Sequence, residues 1–161
     1  MKNMRTFFFL LTAVLAAVLI SCSEPPFYAE SKPIEKEGWQ AEKAYQYSPE
    51  ITDTTALYNV FFTLRNTGEY PYSNLWLFVT RTSPNGITDT DTIECPLAYN
   101  SGKWIGKSAG GFYDNIILYQ QNQRFKTSGT YTYNIQHGMR DSLLKDVSDI
   151  GLRIDKVKAN N

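Results

Sequence analysis

The chain is poor in the residues that most site chemistry uses. Two of its 161 residues are cysteine, one is histidine, and acids and bases number 16 each, for a formal net charge of zero. With balanced charge there is no basic patch to recruit nucleic acid. Any histidine-dependent triad would have to use His137, and no serine sits in a nucleophile-elbow context to match it. His137 is therefore expected at the surface or at a strand end. Internal repeats and low-complexity tracts are also missing. The most hydrophobic run is confined to residues 7–20, broken only by Thr12.

That run follows a short basic segment containing Lys2 and Arg5. As a helix its 14 residues would reach about 21 Å, short of the ~30 Å hydrocarbon core of a bilayer. The layout is that of a signal peptide rather than of a permanent span. Leu19-Ile20-Ser21-Cys22 matches each position of the bacterial lipobox. The match implies diacylglyceryl transfer to the Cys22 thiol, cleavage after Ser21 and acylation of the new amine. Several acyl chains on one residue give stable anchoring, since each buried CH₂ contributes roughly 0.8 kcal/mol. Ser23, rather than Asp, fits the pattern that permits export to an outer membrane.

Residues 1–21 are thus read as a cleaved lipoprotein signal peptide. What remains is the size of one ordinary domain, with 14 basic against 16 acidic residues. Cys22 is taken by the lipid, so Cys95 has no disulfide partner and is expected as a small buried thiol. Residues 22–37, with Pro25, Pro26 and Pro33, read as the lipidated N-terminus and a tether. The folded domain is expected over residues 38–158.

Strand signals dominate that domain. In "LYNVFFTLR", Tyr58, Val60, Phe62 and Leu64 share one face, with Phe61 the exception on the other. In "NLWLFVTRT", Leu75, Leu77 and Val79 alternate with Trp76, Phe78 and Thr80, and both faces begin apolar, as in a strand covered on both sides. Ser83-Pro84-Asn85-Gly86 predicts a hairpin into "ITDTDTIE". "NIILYQQ", "GTYTYNIQH" and "DIGLRIDKV" read as further strands. Residues 138–145, "GMRDSLLK", form the sole local helix candidate. Six to eight strands without a βαβ rhythm predict an all-β, antiparallel β-sandwich, jelly-roll or Ig-like.

Three stretches resemble sites and read better as scaffold. "GKWIGKS" ends like a phosphate-binding loop, but Gly102 and Gly106 enclose three residues instead of four, so no nucleotide is expected. Asp89, Asp91 and Glu94 share "DTDTIE" without the ligand density that Ca²⁺ requires, and a charged edge strand is the better reading, with no metal. For a paired-carboxylate hydrolase only the residue types are present. Aromatics are abundant, and Tyr70, Tyr72, Trp76 and Trp104 are the candidates for an interaction surface, although Tyr and Trp also pack sandwich cores.

Taken together, the lipobox, "YNVFFTLRNTGEYPYSNLWLFV", "DTIECPLA", "GKWIGKSAGG" and "HGMRDSLLKDVSDIGLRIDKV" are similar to the gliding-motility lipoprotein GldH family of the Bacteroidetes, over about residues 22–157. The resemblance implies a lipid-anchored cell-envelope protein that supports gliding motility and the surface-protein machinery. It implies no enzymatic activity and no cofactor beyond the lipid on Cys22. Its partners would be the membrane, through that lipid, and other envelope or gliding-machinery proteins. The other reading is a glycan-binding sandwich that uses its exposed aromatics.

Overall fold

The computed structural model describes residues 25–158. The signal peptide and Cys22 lie outside them. In chain order the strands are β1 (Tyr28–Pro33), β2 (Trp39–Gln40), β3 (Tyr45–Tyr47), β4 (Glu50–Ile51), β5 (Tyr58–Thr67), β6 (Asn74–Thr82) and β7 (Thr88–Pro96). They continue as β8 (Lys107–Ala109), β9 (Phe112–Gln123), β10 (Gly129–Thr130), β11 (Thr132–His137), β12 (Leu143–Leu144) and β13 (Val147–Lys156).

A five-stranded sheet ordered β1-β13-β5-β9-β8 packs on a four-stranded sheet ordered β3-β11-β6-β7, and two short pairs, β10-β4 and β12-β2, close the margins. The neighbours in both main sheets run antiparallel. The result is an antiparallel β-sandwich. Period-two alternation builds its interior: Tyr58, Val60, Phe62 and Leu64 of β5, Leu75, Leu77 and Val79 of β6, Tyr133 and Ile135 of β11, and Ile150, Leu152 and Ile154 of β13 are all buried. Several large tyrosines of this core, Tyr47, Tyr58 and Tyr131 among them, place their hydroxyls on backbone acceptors at its margins. Tyr47 Oη crosses from one sheet to the other and donates to the Ile150 carbonyl at 2.5 Å. The β6–β7 hairpin turns where the sequence places it, with Gly86 at φ 82° and its N–H on the Ser83 carbonyl at 2.9 Å.

Three expectations change. The stretch read as tether contains β1, which pairs along its whole length with β13, from Tyr28↔Ile154 to Pro33↔Asp149. An edge strand needs few apolar residues, because it buries one side at most; half-buried Tyr28 and buried Ile34 supply them. Pro33 costs little at a strand end, where its missing N–H is not needed. The fold therefore starts near residue 27 rather than at residue 38. Residues 138–145 form no helix: Leu143 and Leu144 pair with Gln40 and Trp39. A two-turn helix carries the full nucleation cost, and burying Leu144 against Trp39 wins instead. Finally, β6 is covered on one face only, so Trp76 and Phe78 stand 37% and 45% exposed.

Candidate interaction surface

The connection from β5 to β6 and the chain leaving β11 meet at one end of the four-stranded sheet. Tyr70 is 3% exposed and donates to the Asn74 carbonyl at 3.0 Å. Burial pushes its hydroxyl well above the usual tyrosine range. Tyr70 is thus a wedge under the loop, with no surface to offer. Its ring meets Tyr72 edge-on at 5.8 Å, and Tyr72 reaches solvent while donating to Asp141 Oδ2 at 2.6 Å. That bond raises the Tyr72 hydroxyl pKa.

Trp76 and Phe78 project outward from β6 beside Tyr72. The Gly138 N–H donates to the Trp76 carbonyl at 2.6 Å and the Met139 sulfur lies 3.4 Å from the Trp76 nitrogen, so the chain after β11 walls the shelf. Gly138 lets the chain pass close to the ring: a Cβ there would sit 3.0 Å from the Phe78 ring, a tight contact that the ring would have to ease. A trough of about 510 Å³ results, with Tyr72, Trp76, Phe78 and Met139 as its apolar lining and Asn74, Thr92 and Arg140 at its rim. Asn74 is held by Glu94 at 2.6 Å. Such a lining offers ring faces and a thioether for contact and stacking.

Trp104 is not part of the trough. It is half-buried, tilts over Tyr113 at 5.3 Å and reaches Tyr72 only through Tyr70. Trp76 and Trp104 therefore form no row of exposed rings.

The remaining candidate groups are held as structure. His137 ends β11 as expected but is 2% exposed, with Nε2 3.0 Å from the Trp39 carbonyl and the two rings edge-to-face. Burial lowers its pKa, against the opposing pull of the Trp39 carbonyl. Cys95 is fully buried, and burial pushes its thiol to about 12, far from the reactive range. Asp89 pairs with Arg81 at 2.8 Å, and Asp91 accepts from the Tyr119 hydroxyl. Among the described residues no group of three or more His, Cys, Asp or Glu is placed to hold a metal ion. Asp114 and Asp149 converge at 2.6 and 4.0 Å on Arg65, whose guanidinium occupies the space between them. In "GKWIGKS" Gly102 closes a turn onto Tyr99, Trp104 bridges to Ala98, and β8 follows.

The GldH lipoprotein family model matches residues 26–154. The chain belongs to the GldH lipoprotein family. A gliding motility lipoprotein GldH homolog from Christiangramia forsetii is 31% identical over 157 residues, covering 93% of this chain and 94% of that one. Gliding motility lipoprotein GldH from Flavobacterium johnsoniae is 29% identical over 151 residues, covering 89% and 93%. Among solved structures, a family GH115 4-O-methyl-α-glucuronidase with specificity for decorated arabinogalactans aligns with a TM-score of 0.44 at 10% identity, covering 86% of this chain and 18% of that one. So remote a likeness bears on neither fold nor function.

In this GldH-family chain the sequence pointed to Tyr72 and Trp76 and missed Phe78, Gly138, Met139 and Arg140. The signal for Phe78 was present in the two apolar faces of β6. Gly138 and Met139 carried none, because only the register His137↔Leu77 brings them beside Trp76.

Proposed function

We propose that this protein is a non-enzymatic envelope lipoprotein, anchored through Cys22 in the outer membrane, that serves surface motility by docking another envelope protein on the Tyr72–Trp76–Phe78 trough. The observation that carries this reading is the family match over residues 26–154, placed directly behind a complete lipobox at residues 19–22. Two relatives named for gliding motility, matched over nearly their whole length, support the role. The trough supports the docking step: the solvent-facing rings of Trp76 and Phe78 on β6, beside Tyr72 and Met139 from the adjoining loops, are the kind of side chains that anchor interfaces.

A glycan is the second reading, favoured only by the flat indole and phenyl faces beside Asn74 and Glu94. One experiment addresses both. In a gliding host whose own copy is deleted, wild-type protein is expected to restore colony spreading and surface-protein secretion. Cys22→Ala should leave the membrane fraction and fail to restore them. Trp76→Ser with Phe78→Ser should stay in the membrane and also fail, while photo-cross-linking from Tyr72 should capture an envelope protein. Capture of polysaccharide instead would support the glycan reading. Full motility with the trough variant would refute the docking role.

A further inference from the structure

We infer that the uncovered edge of β9 is a self-association surface, on which a second copy of this chain adds its own β9 antiparallel across a two-fold axis. Each main sheet ends in two edges. β1 carries Glu30, Lys32 and Pro33; β7 carries Asp89, Asp91, Glu94 and Pro96; β3 is three residues long. Charge, proline and shortness are the devices by which natural edges resist pairing. The β9 edge lacks all three. β8 covers residues 112–114 and goes no further, while residues 115–123 contain neither charge nor proline. On that stretch Ile116 and Leu118 are 60% and 48% exposed.

The backbone on this edge is aimed outward. β8 and β9 are joined by Gly110-Gly111, both at positive φ, so their closing pair Ala109↔Phe112 is a directly hydrogen-bonded one. Bonding direction alternates along an antiparallel strand. Phe112, Asp114, Ile116 and Leu118 thus point their N–H and C=O groups away from β5. A separate bond agrees: Thr67 donates to the Asp146 carbonyl on the β13 side, so Asn66 faces β9 and its partner Tyr113 faces β5. Among the described residues no strand lies beside the groups on Ile116 and Leu118.

A second copy fits this window because its limits are symmetric. β8 blocks one end, and the register shift between Phe61↔Leu118 and Val60↔Gln120 interrupts the regular ladder at the other. A two-fold axis through Ile117 exchanges these two ends. It sets Ile116 opposite Leu118 of the partner subunit, in hydrogen-bonded register and on the same face, with no charged residue in the paired stretch. The acids of the overlying β7 are turned onto Arg81, Tyr119 and Asn74. β1, where the chain enters from its N-terminus, lies at the opposite edge of the sheet and leaves the interface clear.

The test uses the full-length lipidated protein. Light scattering in detergent should give a dimer, and Leu118→Lys or Ile116→Lys should raise its dissociation constant roughly 100-fold or more. Both side chains are solvent-facing, so circular dichroism and melting should match wild type; two variants guard against one misfolding. In intact cells, Ile116→Cys combined with Leu118→Cys should oxidise to a linked dimer, while Ala29→Cys on β1 should not. A monomer at every concentration, a dimer indifferent to both lysine variants, or a cross-link to a different protein would overturn the assignment.

Discussion

At the scale of single residues, the core depends on where hydroxyls and ring nitrogens find partners. Tyr58 donates to the Asp53 carbonyl at 2.9 Å and Tyr131 to the Thr127 carbonyl at 3.0 Å, whereas the buried hydroxyls of Tyr45 and Tyr133 meet no hydrogen-bond partner among the described residues. His137 is satisfied on one side only. Its Nε2 meets the Trp39 carbonyl while Nδ1 is buried without a partner. A donating Nε2–H leaves Nδ1 as the site of protonation, where the charge would have no acceptor. The folded pKa is therefore below that of the unfolded chain, about 6.5. The stabilisation due to the neutral ring is complete above that value and is lost as pH falls toward the folded pKa, because the unfolded state takes the proton first. Melting temperature should fall on going from pH 7.5 to below 6. His137→Gln keeps an N–H donor for Trp39 and should flatten that decline, while costing about 1 kcal/mol at neutral pH. An unchanged pH profile in the variant would sink the assignment.

At the scale of elements, the alternation in β5, β6, β11 and β13 was legible in the sequence because a half-buried strand writes its two faces at period two. The hairpin after β6 was legible because its turn needs residues of particular backbone geometry. β1 was not: an outermost strand has one neighbour and little to bury, so its composition resembles a linker. Its attachment depends on Gly151 of β13, where a Cβ would lie 2.3 Å from Thr63 Oγ1 and 2.7 Å from the Glu30 carbonyl. A chain beginning at Gly38 should therefore be less stable than one beginning at Pro26. The expected loss is roughly 2–4 kcal/mol, from the burial of Tyr28 and Ile34 and the uncovered β13 edge. Denaturant titration checks this, and equal midpoints would return residues 28–33 to the role of tether.

At the scale of the whole molecule, register fixes which end of the sandwich faces the anchor. Phe27, at the N-terminal entrance, packs on Tyr58, Tyr58 on Phe125 and Phe125 on Tyr131, so the segment carrying Arg124 and Lys126 lies at the entrance end. β6 runs from Asn74 at the far end to Thr82 at this one, which sets the trough at the far end. Five residue steps separate Cys22 from Phe27, a reach of at most about 18 Å. With Cys22 acylated, the entrance end is held near the headgroups and the trough faces away. In vesicles carrying the lipidated protein, a fluorophore on Lys126→Cys should be quenched by headgroup-labelled lipid, and one on Phe78→Cys should not. Equal quenching would contradict this orientation. The sequence by itself determined the sandwich class and the family, and it carries the expectation of a targeting segment ending in a lipid-bearing Cys22, since each is written in local order: a two-residue period, a charge-then-apolar run, a four-residue motif. Only the tertiary structure decided that β1 belongs to the sheet, that Tyr70 and Trp104 pack inward while Trp76 and Phe78 face solvent, and that the β9 edge stands open. Those outcomes depend on which strands become neighbours, and strand pairing joins residues far apart in the chain.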